Sequence, residues 1–418
     1  MEYGLIGGAL GHSYSKLIHE KLADYTYELH PLPTEAEARR FLEERAFRAI
    51  NVTIPYKQLV MEYCGEIDPA ARAIGAVNTV VNDGGVLRGW NTDYAGFLYM
   101  ADRAGADFRG KTVLVLGTGG TQRTVCAAAK DRGAARVLTV SRRKTPDTLT
   151  YDEAARTDAH IVVNTTPAGM YPHNGECLLD LSGFEHLEAV LDVVYNPFET
   201  RLLFEARRLG VRTGGGLPML VAQAKYAAEY FTGRAIDDAV IPDIASDIFA
   251  DRANLVLVGM PSSGKSSVGK GCAKLLGKRF VDLDEEIERR SGRRIPDIFA
   301  EDGEAAFRAL ERAVCADVTK ESGLIVATGG GAVLDGENVR CMRQNGVVVW
   351  LKRPLEALDV GGYRPLSKST EALREMEARR TPLYSAAAHA VVENTGTFEQ
   401  TVESVKEAFY EISRRQWA

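Results

Sequence analysis

Residues 254–267 read NLVLVGMPSSGKSS, a run of apolar residues leading straight into a loop with the spacing G-x-x-x-x-G-K-S. The run 255–258 is short and made of Leu and Val, as suits a strand buried on both faces of a parallel sheet. Behind it stand Gly259, Gly264, Lys265 and Ser266 at the fixed positions, with Ser262, Ser263 and Ser267 filling the loop and the first helical turn. The spacing is dictated by phosphate: the loop wraps its backbone N–H groups around phosphate oxygens at a helix N-terminus. Lys265 then reaches the β- and γ-phosphates, and the Ser266 hydroxyl can bind Mg²⁺. Strand, glycine loop and helix in this order predict an α/β unit that binds a nucleoside triphosphate.

Downstream, FVDLDEEIERRSG (280–292) places Asp282 and Asp284 two residues apart, so that on a strand end they would point the same way. One carboxylate can serve the metal while the other orients an acceptor hydroxyl. Next come AAFRALE with Arg308 and Glu311, ATGGGA with Gly330, YRPL with Arg364, and RRTPLY with Arg380. With these pieces in this order, the stretch from about 254 to about 408 resembles the shikimate kinase family. The resemblance implies that ATP is the phosphate donor and that Asp282 supports Mg²⁺. It makes Asp284 the residue that contacts and orients the shikimate hydroxyl. Arg308 and Arg380 would grip the shikimate carboxylate, since a planar fork suits that group. Gly330 would let the backbone approach the ring, and Glu311 would hold Arg308. Arg364 would stabilise charge on the transferring phosphoryl group from a lid. Two departures stand out: Ser262 occupies a position usually held by glycine, and the segment 351–366 lacks an arginine that usually precedes the lid.

Working upstream, residues 231–252 (FTGRAIDDAVIPDIASDIFADR) are acidic and carry Gly233 and Pro242, as expected of a short linker at 241–252. Before it, residues 112–116 lead into GTGGTQR (117–123), another strand, glycine loop and helix. Gly117 and Gly119 permit a tight turn and close approach to a pyrophosphate, with Gly120 and Thr121 beside them. Gln122 takes the third glycine position of G-x-G-x-x-G. An NAD site would place an acid roughly 20 residues further on. Here the next strand ends in RVLTVSRRK, and Arg142 and Arg143 favour a 2′-phosphate, hence NADP(H).

The first hundred residues supply the chemistry. GHSYSKLIH (11–19), NVTIPYK (51–57), GAVNT (75–79) and GWNTDYAGF (89–97) set Lys57 and Asp93 among small polar residues. A lysine and a carboxylate in a partly desolvated cleft can share a proton with a substrate hydroxyl, which reduction of a ketone requires. NTTPAGM (164–170), DVVYNPFET (192–200) and GGLPMLVAQA (215–224) follow. Together these motifs, from Tyr3 to about Gly233, resemble the shikimate dehydrogenase family. That resemblance implies substrate contacts from Ser13, Ser15, Thr53, Asn78, Asp93, Tyr195 and Gln223, with Lys57 as general acid and base. It assigns Asn164 and Met170 to the cofactor. Lys16 stands where a proline is usual, and Pro218 where glycine is frequent.

Length and composition set the frame. At about 150 residues per domain, 418 residues allow roughly three domains, and 45% hydrophobic with 26% charged residues excludes disorder for most of the chain. The net charge of −6 gives no reason to expect nucleic acid or a membrane surface, and no run nears the ~20 apolar residues of a span. Six cysteines lie far apart with no C-x-x-C pair, which suggests reduced thiols in a cytoplasmic protein. The expected fold is α/β throughout, with parallel sheets covered by helices. A two-lobed dehydrogenase (1–240) comes first, with a substrate lobe at about 1–96 plus 216–240 and a Rossmann-like NADP lobe at about 97–215. A linker (241–252) and a P-loop kinase domain (253–418) follow. The two halves read as successive steps, NADPH-dependent reduction of 3-dehydroshikimate and Mg-ATP-dependent phosphorylation of shikimate at the same oxygen. Competing readings are an NAD-dependent quinate/shikimate dehydrogenase fused to a kinase, and a non-catalytic sensor; the oligomeric state stays open.

Overall fold

The computed structural model describes residues 1–11, 13–358 and 370–417, and its strands form three sheets. The first contains β1 (Tyr3–Gly7), β2 (Tyr27–Pro31), β3 (Ala49–Val52), β4 (Glu66–Ile67), β5 (Thr79–Asp83) and β6 (Val86–Trp90), in the order β2-β1-β3-β5-β6-β4. This sheet is not parallel throughout, as the strand–helix alternation had implied: β3–β5 and β5–β6 are antiparallel. The cause is local. Only Gly84 and Gly85 join β5 to β6, with φ of 59° and 94°, and a two-residue loop of this kind reverses the chain.

The second sheet contains β7 (Thr112–Leu116), β8 (Arg136–Val140), β9 (Thr148–Leu149), β10 (Ile161–Asn164), β11 (Ala189–Asp192) and β12 (Arg212–Gly214). Its order is β12-β11-β10-β7-β8-β9 and every pairing is parallel. Helices cover both faces, so β7, β10 and β11 are buried at every residue, each buried Val or Leu being worth about 1.5–3 kcal/mol. The chain leaves β7 toward β8 on one side and returns to β10 on the other. The carboxyl ends of β7 and β10 thus form a switch point, where such sheets bind ligands. The expected lobe boundary at 96/97 falls inside the helix Thr92–Arg103, which packs closely on the helix Gly216–Thr232. A Cβ at Gly96 would lie 2.7 Å from the Met219 carbonyl oxygen.

The third sheet is wholly parallel, with β13 (Asn254–Val258), β14 (Arg279–Asp282), β15 (Leu324–Ala327), β16 (Gly346–Lys352) and β17 (Ala390–Glu393) in the order β14-β15-β13-β16-β17. The phosphate-type loop leaves the central strand between β15 and β16. By contacts, the chain divides into two units, Met1–Ala245 and Ser246–Ala418. Residues 241–252, expected as a linker, are part of the helix Val240–Arg252, and the division between the two units falls within them. Ile241, Ile244, Ala245, Ile248 and Phe249 recur at helical spacing and are all buried, which overrides the acidic composition. Pro242 is tolerated because it lies in the first turn. All six cysteines are free, three buried and three half-buried. Among the described residues, no helix is long and apolar enough to cross a membrane.

Candidate active sites

A cleft of about 410 Å³ in the first unit gathers Ser13, Ser15, Thr53, Lys57, Asn78, Asp93, Tyr195 and Gln223, which sequence places far apart. Asn91 caps the helix Thr92–Arg103 by accepting from the Tyr94 N–H, and this sets Asp93 in the first turn. Lys57 Nζ donates to Asp93 Oδ2 at 2.5 Å, with the two side chains only 16% and 11% exposed. Asn78 accepts from the Thr92 N–H at 2.7 Å and donates to Gln223 Oε1 at 3.3 Å, tying the start of β5 to the helix Gly216–Thr232. Ser13 donates its hydroxyl to Ser15 Oγ at 3.0 Å, and Ser15 opens the helix Ser15–Leu22. Lys16, the substituted proline position, faces Glu20 one turn on.

Two residues behind this cleft escaped the sequence reading. Asn51 lines it, accepts from the Tyr27 hydroxyl at 2.7 Å and donates to the Asn78 carbonyl at 3.2 Å. His19 stacks flat on Tyr27 at 4.1 Å, with Nδ1 2.7 Å from the Tyr25 hydroxyl. Burial pushes its imidazole down to about 3, so it is a neutral packing group. His19 closes the motif GHSYSKLIH and Asn51 opens NVTIPYK, yet nothing in either motif marks them off from their neighbours.

The glycine loop after β7 lies at the switch point. Gly117 has φ of 112°, and a Cβ there would sit 2.9 Å from Thr165 Oγ1. Gly119 caps the helix Gly120–Asp131, whose first turn contains no acid, and a Cβ on Gly119 or Gly120 would meet nothing within 4 Å. Open space before a positive helix end suits a pyrophosphate. Thr121 reaches the same cleft as Lys57 and Tyr195. Gln122, in the third glycine position, donates to Thr139 Oγ1 at 2.9 Å and ties the helix to β8. Arg142 and Arg143 stand exposed beyond β8 with no ion-pair partner among the described residues, whereas Lys144 pairs with Glu153. This set fits a dinucleotide with a 2′-phosphate.

Asn164, expected at the cofactor, has its side chain engaged within its own loop. It is 2% exposed, its oxygen accepts from the Thr166 N–H (3.0 Å) and hydroxyl (2.7 Å), and its nitrogen donates to Asp192 (3.0 Å) and Ala168 (3.3 Å). An amide spent at both ends shapes the loop and has no group left for a ligand. Met170 lies on that loop, 43% exposed.

In the second unit a cavity of about 520 Å³ brings together Lys265, Ser266, Asp282, Asp284, Arg308, Gly330 and Arg380. Asp282 and Asp284 are not alternate residues of one strand, as their spacing had suggested. Asp282 ends β14 and caps the helix Leu283–Ser291 by accepting from the Asp284 N–H at 3.0 Å, which puts Asp284 in the first turn. Asp282 Oδ2 accepts from the Ser266 hydroxyl at 2.6 Å. Two hard oxygen donors side by side fit Mg²⁺.

Arg308 Nη1 donates to Glu311 Oε2 at 2.7 Å and Nη2 to Glu304 Oε1 at 2.9 Å. Glu311 is 1% exposed; burial raises its carboxyl and the Arg308 charge opposes the rise. Arg380 Nη1 and the Tyr384 hydroxyl both donate to the Gly330 carbonyl, at 2.8 and 2.6 Å. The glycine triplet is required by proximity. A Cβ at Gly329 would lie 2.7 Å from Asp284 Oδ1, at Gly330 2.8 Å from Pro261, and at Gly331 2.5 Å from the Arg308 guanidinium.

Around the phosphate-type loop, Lys265 Nζ donates to the carbonyls of Gly259 (3.0 Å) and Met260 (2.8 Å). Gly259 has φ of 147°, and Gly264 has φ of 96°. Ser262, the departure from glycine, has φ of 64°, a conformation that costs a side-chain-bearing residue about 1–2 kcal/mol. The Ser263 side chain is wholly buried, and its carbonyl accepts from Asn394 at 2.8 Å. Gly264 and Ser267 line a neighbouring cavity of about 430 Å³ with Arg353, Asn394 and Phe398. Arg353, near the start of the segment that lacks the usual arginine before the lid, thus stands beside the loop. Arg364 lies outside the described residues.

Comparison with known proteins matches both halves of the chain. The shikimate dehydrogenase substrate binding domain matches residues 5–80, and shikimate kinase matches residues 261–410. The NADP(+) shikimate dehydrogenase of Clostridium perfringens strain SM101 is 36% identical over 264 residues, covering 59% of this chain and 97% of that protein. The one from Halothermothrix orenii is 36% identical over 282 residues, covering 57% and 96%. Among solved structures, a chorismate mutase/shikimate 5-dehydrogenase fusion from Clostridium acetobutylicum matches with a TM-score of 0.54 and 36% identity, over 58% of this chain and 94% of that one. Shikimate 5-dehydrogenase from Thermus thermophilus, in complex with NADP(H) and shikimate, matches with 0.53 and 32%, over 58% and 98%. The chain therefore belongs to the shikimate dehydrogenase family and carries a shikimate kinase domain after it, two enzymes of the shikimate pathway in one chain.

Proposed function

We propose that the first unit reduces 3-dehydroshikimate to shikimate with NADPH and that the second phosphorylates the new 3-hydroxyl with ATP. The Lys57–Asp93 pair in the first cleft carries the first half of this reading. NADPH supplies the hydride to the C3 carbonyl carbon. The Lys57 ammonium gives its proton to the carbonyl oxygen as that oxygen gains charge, and Asp93 holds the ammonium in place. Ser13, Ser15 and Thr53 bind the substrate's polar rim, Asn78 and Gln223 its hydroxyls, and Tyr195 closes the side toward the cofactor. Loss of Arg142 and Arg143 together to Ala is expected to raise KM for NADPH at least about 10-fold while leaving that for NADH nearly unchanged. Equal losses for both would remove the 2′-phosphate argument and favour the NAD-dependent alternative.

In the second unit, Lys265 and the loop N–H groups bind the ATP phosphates, with the base and ribose in the cavity lined by Ser267, Arg353 and Phe398. Ser266 and Asp282 would hold Mg²⁺, which would supply positive charge against the phosphates. Asp284 orients the 3-hydroxyl and takes its proton as the γ-phosphoryl transfers and ADP leaves. Arg308 and Arg380 hold the carboxylate on the far side of the ring. Glu311→Gln weakens the grip that aims Arg308, so KM for shikimate is expected to rise about 10-fold with kcat much less changed. A fall in kcat alone would mean that Glu311 acts elsewhere. The whole reading is tested by mass spectrometry after incubation with 3-dehydroshikimate, NADPH, ATP and Mg²⁺. Shikimate 3-phosphate is the expected product; no product from folded protein would move the weight to a non-catalytic sensor.

A further inference from the structure

One wholly buried carboxylate joins two loops of the dehydrogenase unit. Asp192 ends β11 and has 0% exposure. Three donors converge on it. Asn164 Nδ2, at the end of β10, and the Val194 N–H each donate to Oδ1 at 3.0 Å, and the Thr200 hydroxyl donates to Oδ2 at 2.7 Å. Each partner controls a different segment. Asn164 shapes the turn through Thr166 and Ala168 that leads to Met170. Val194 precedes Tyr195 in the cleft, and its carbonyl accepts from the Gly216 N–H at 3.1 Å, at the start of the helix that carries Gln223. Thr200 caps the helix Arg201–Arg208 through the Leu203 N–H.

Packing leaves no slack at this junction. A Cβ at Gly216 would lie 2.2 Å from the Val193 carbonyl oxygen, so the backbone after β11 and the start of that helix are in direct contact. Without the carboxylate, three buried donors would lose their acceptor at once. Burial raises the Asp192 carboxyl to about 7, and the three donors oppose that rise. Every hydrogen-bond neighbour of the carboxyl is a donor, so the pocket around it is built for an acceptor.

We propose that Asp192 is a positioning residue of the dehydrogenase, holding the loop after β10 and the loop bearing Tyr195 in one register for hydride transfer. This rests on the reading of the cleft as the site of NADPH-dependent reduction. Asp192→Asn keeps the shape but points an N–H donor at groups that are themselves donors. In the full chain, kcat for shikimate oxidation by NADP⁺ is expected to fall about 10- to 100-fold, while KM for shikimate stays within about threefold. The primary isotope effect with 3-deuterated shikimate rises, because hydride transfer becomes the slow step. Thr200→Val removes one donor to Asp192, and with it the acceptor for the Leu203 N–H, at nearly constant volume; it moves the same two quantities less, which keeps a test in hand should Asp192→Asn not fold. Parental kcat and isotope effect in whichever variant is folded overturn the proposal, as does a loss seen only in KM. An unsubstituted chain that does not oxidise shikimate would remove the reading of the cleft, and this inference with it. An active parent with a parental variant removes this inference alone.

Discussion

Lys57→Ala is expected to cut 3-dehydroshikimate reduction by about 10³-fold or more, with the shikimate kinase rate of the same chain unchanged. The alkoxide formed by hydride addition needs a proton at the moment its charge develops, and Lys57 is the cation of the cleft that faces a partly buried carboxylate. Its distance of 2.5 Å to Asp93 leaves no room for intervening water. Substitution also leaves Asp93 without its counter-ion at 11% exposure, a cost of about 1–3 kcal/mol. A drop in rate could therefore reflect unfolding of the unit. The double variant Lys57→Ala, Asp93→Asn separates the two effects, since it restores a neutral pocket without restoring a proton donor. It should regain thermal stability and stay inactive. Recovery of reduction in the double variant, or more than about one tenth of parental activity in the single one, would contradict the acid–base role. Parallel loss of kinase activity in a folded variant would contradict independent sites.

How much of this was legible in the sequence depends on what fixed each residue. The phosphate-type loop was, because phosphate geometry dictates its spacing and the strand before it is apolar at every position from 255 to 258. Lys57 and Asp93 were singled out because a lysine and a carboxylate among small polar residues can share a proton, and Arg308 and Arg380 because their motifs resemble those of the shikimate kinase family. Asn164 is less legible: a small amide reads the same in a motif whether it meets a ligand or spends its hydrogen bonds on its own loop. Asp192 passed unnoticed within DVVYNP, since three convergent donors come from residues 164, 194 and 200, and only the folded sheet brings them together. The antiparallel turn at Gly84 and Gly85 and the apolar stripe of the helix Val240–Arg252 were present in the sequence. Both were outweighed by a neighbouring rhythm, the βαβ alternation in one case and acidic composition with Gly233 and Pro242 in the other.

Asp284→Asn is expected to lower shikimate phosphorylation at least about 10²-fold while ATP binding and the Mg²⁺ requirement stay as in the parent. The two carboxylates of this site are distinguished by what already holds them. Asp282 has one oxygen on the Asp284 N–H and the other on the Ser266 hydroxyl, so it belongs to the phosphate side. Asp284 presents Oδ1 to the glycine triplet, 2.7 Å from where a Cβ on Gly329 would stand, and shares its cavity with Arg308 and Arg380. In the proposed reaction that is the acceptor side. Asparagine keeps the volume and can still contact a hydroxyl, but it cannot take the proton, so the loss should fall on kcat. Asp282→Asn makes the contrasting control: it should shift the Mg²⁺ titration midpoint upward, which Asp284→Asn should not. Calorimetry with ATP and Mg²⁺ measures binding, and coupled ADP release measures turnover. Normal turnover by Asp284→Asn would sink its role as base. A shifted Mg²⁺ midpoint in that variant would instead place Asp284 with the metal, and the acceptor hydroxyl would then need another partner in the cavity.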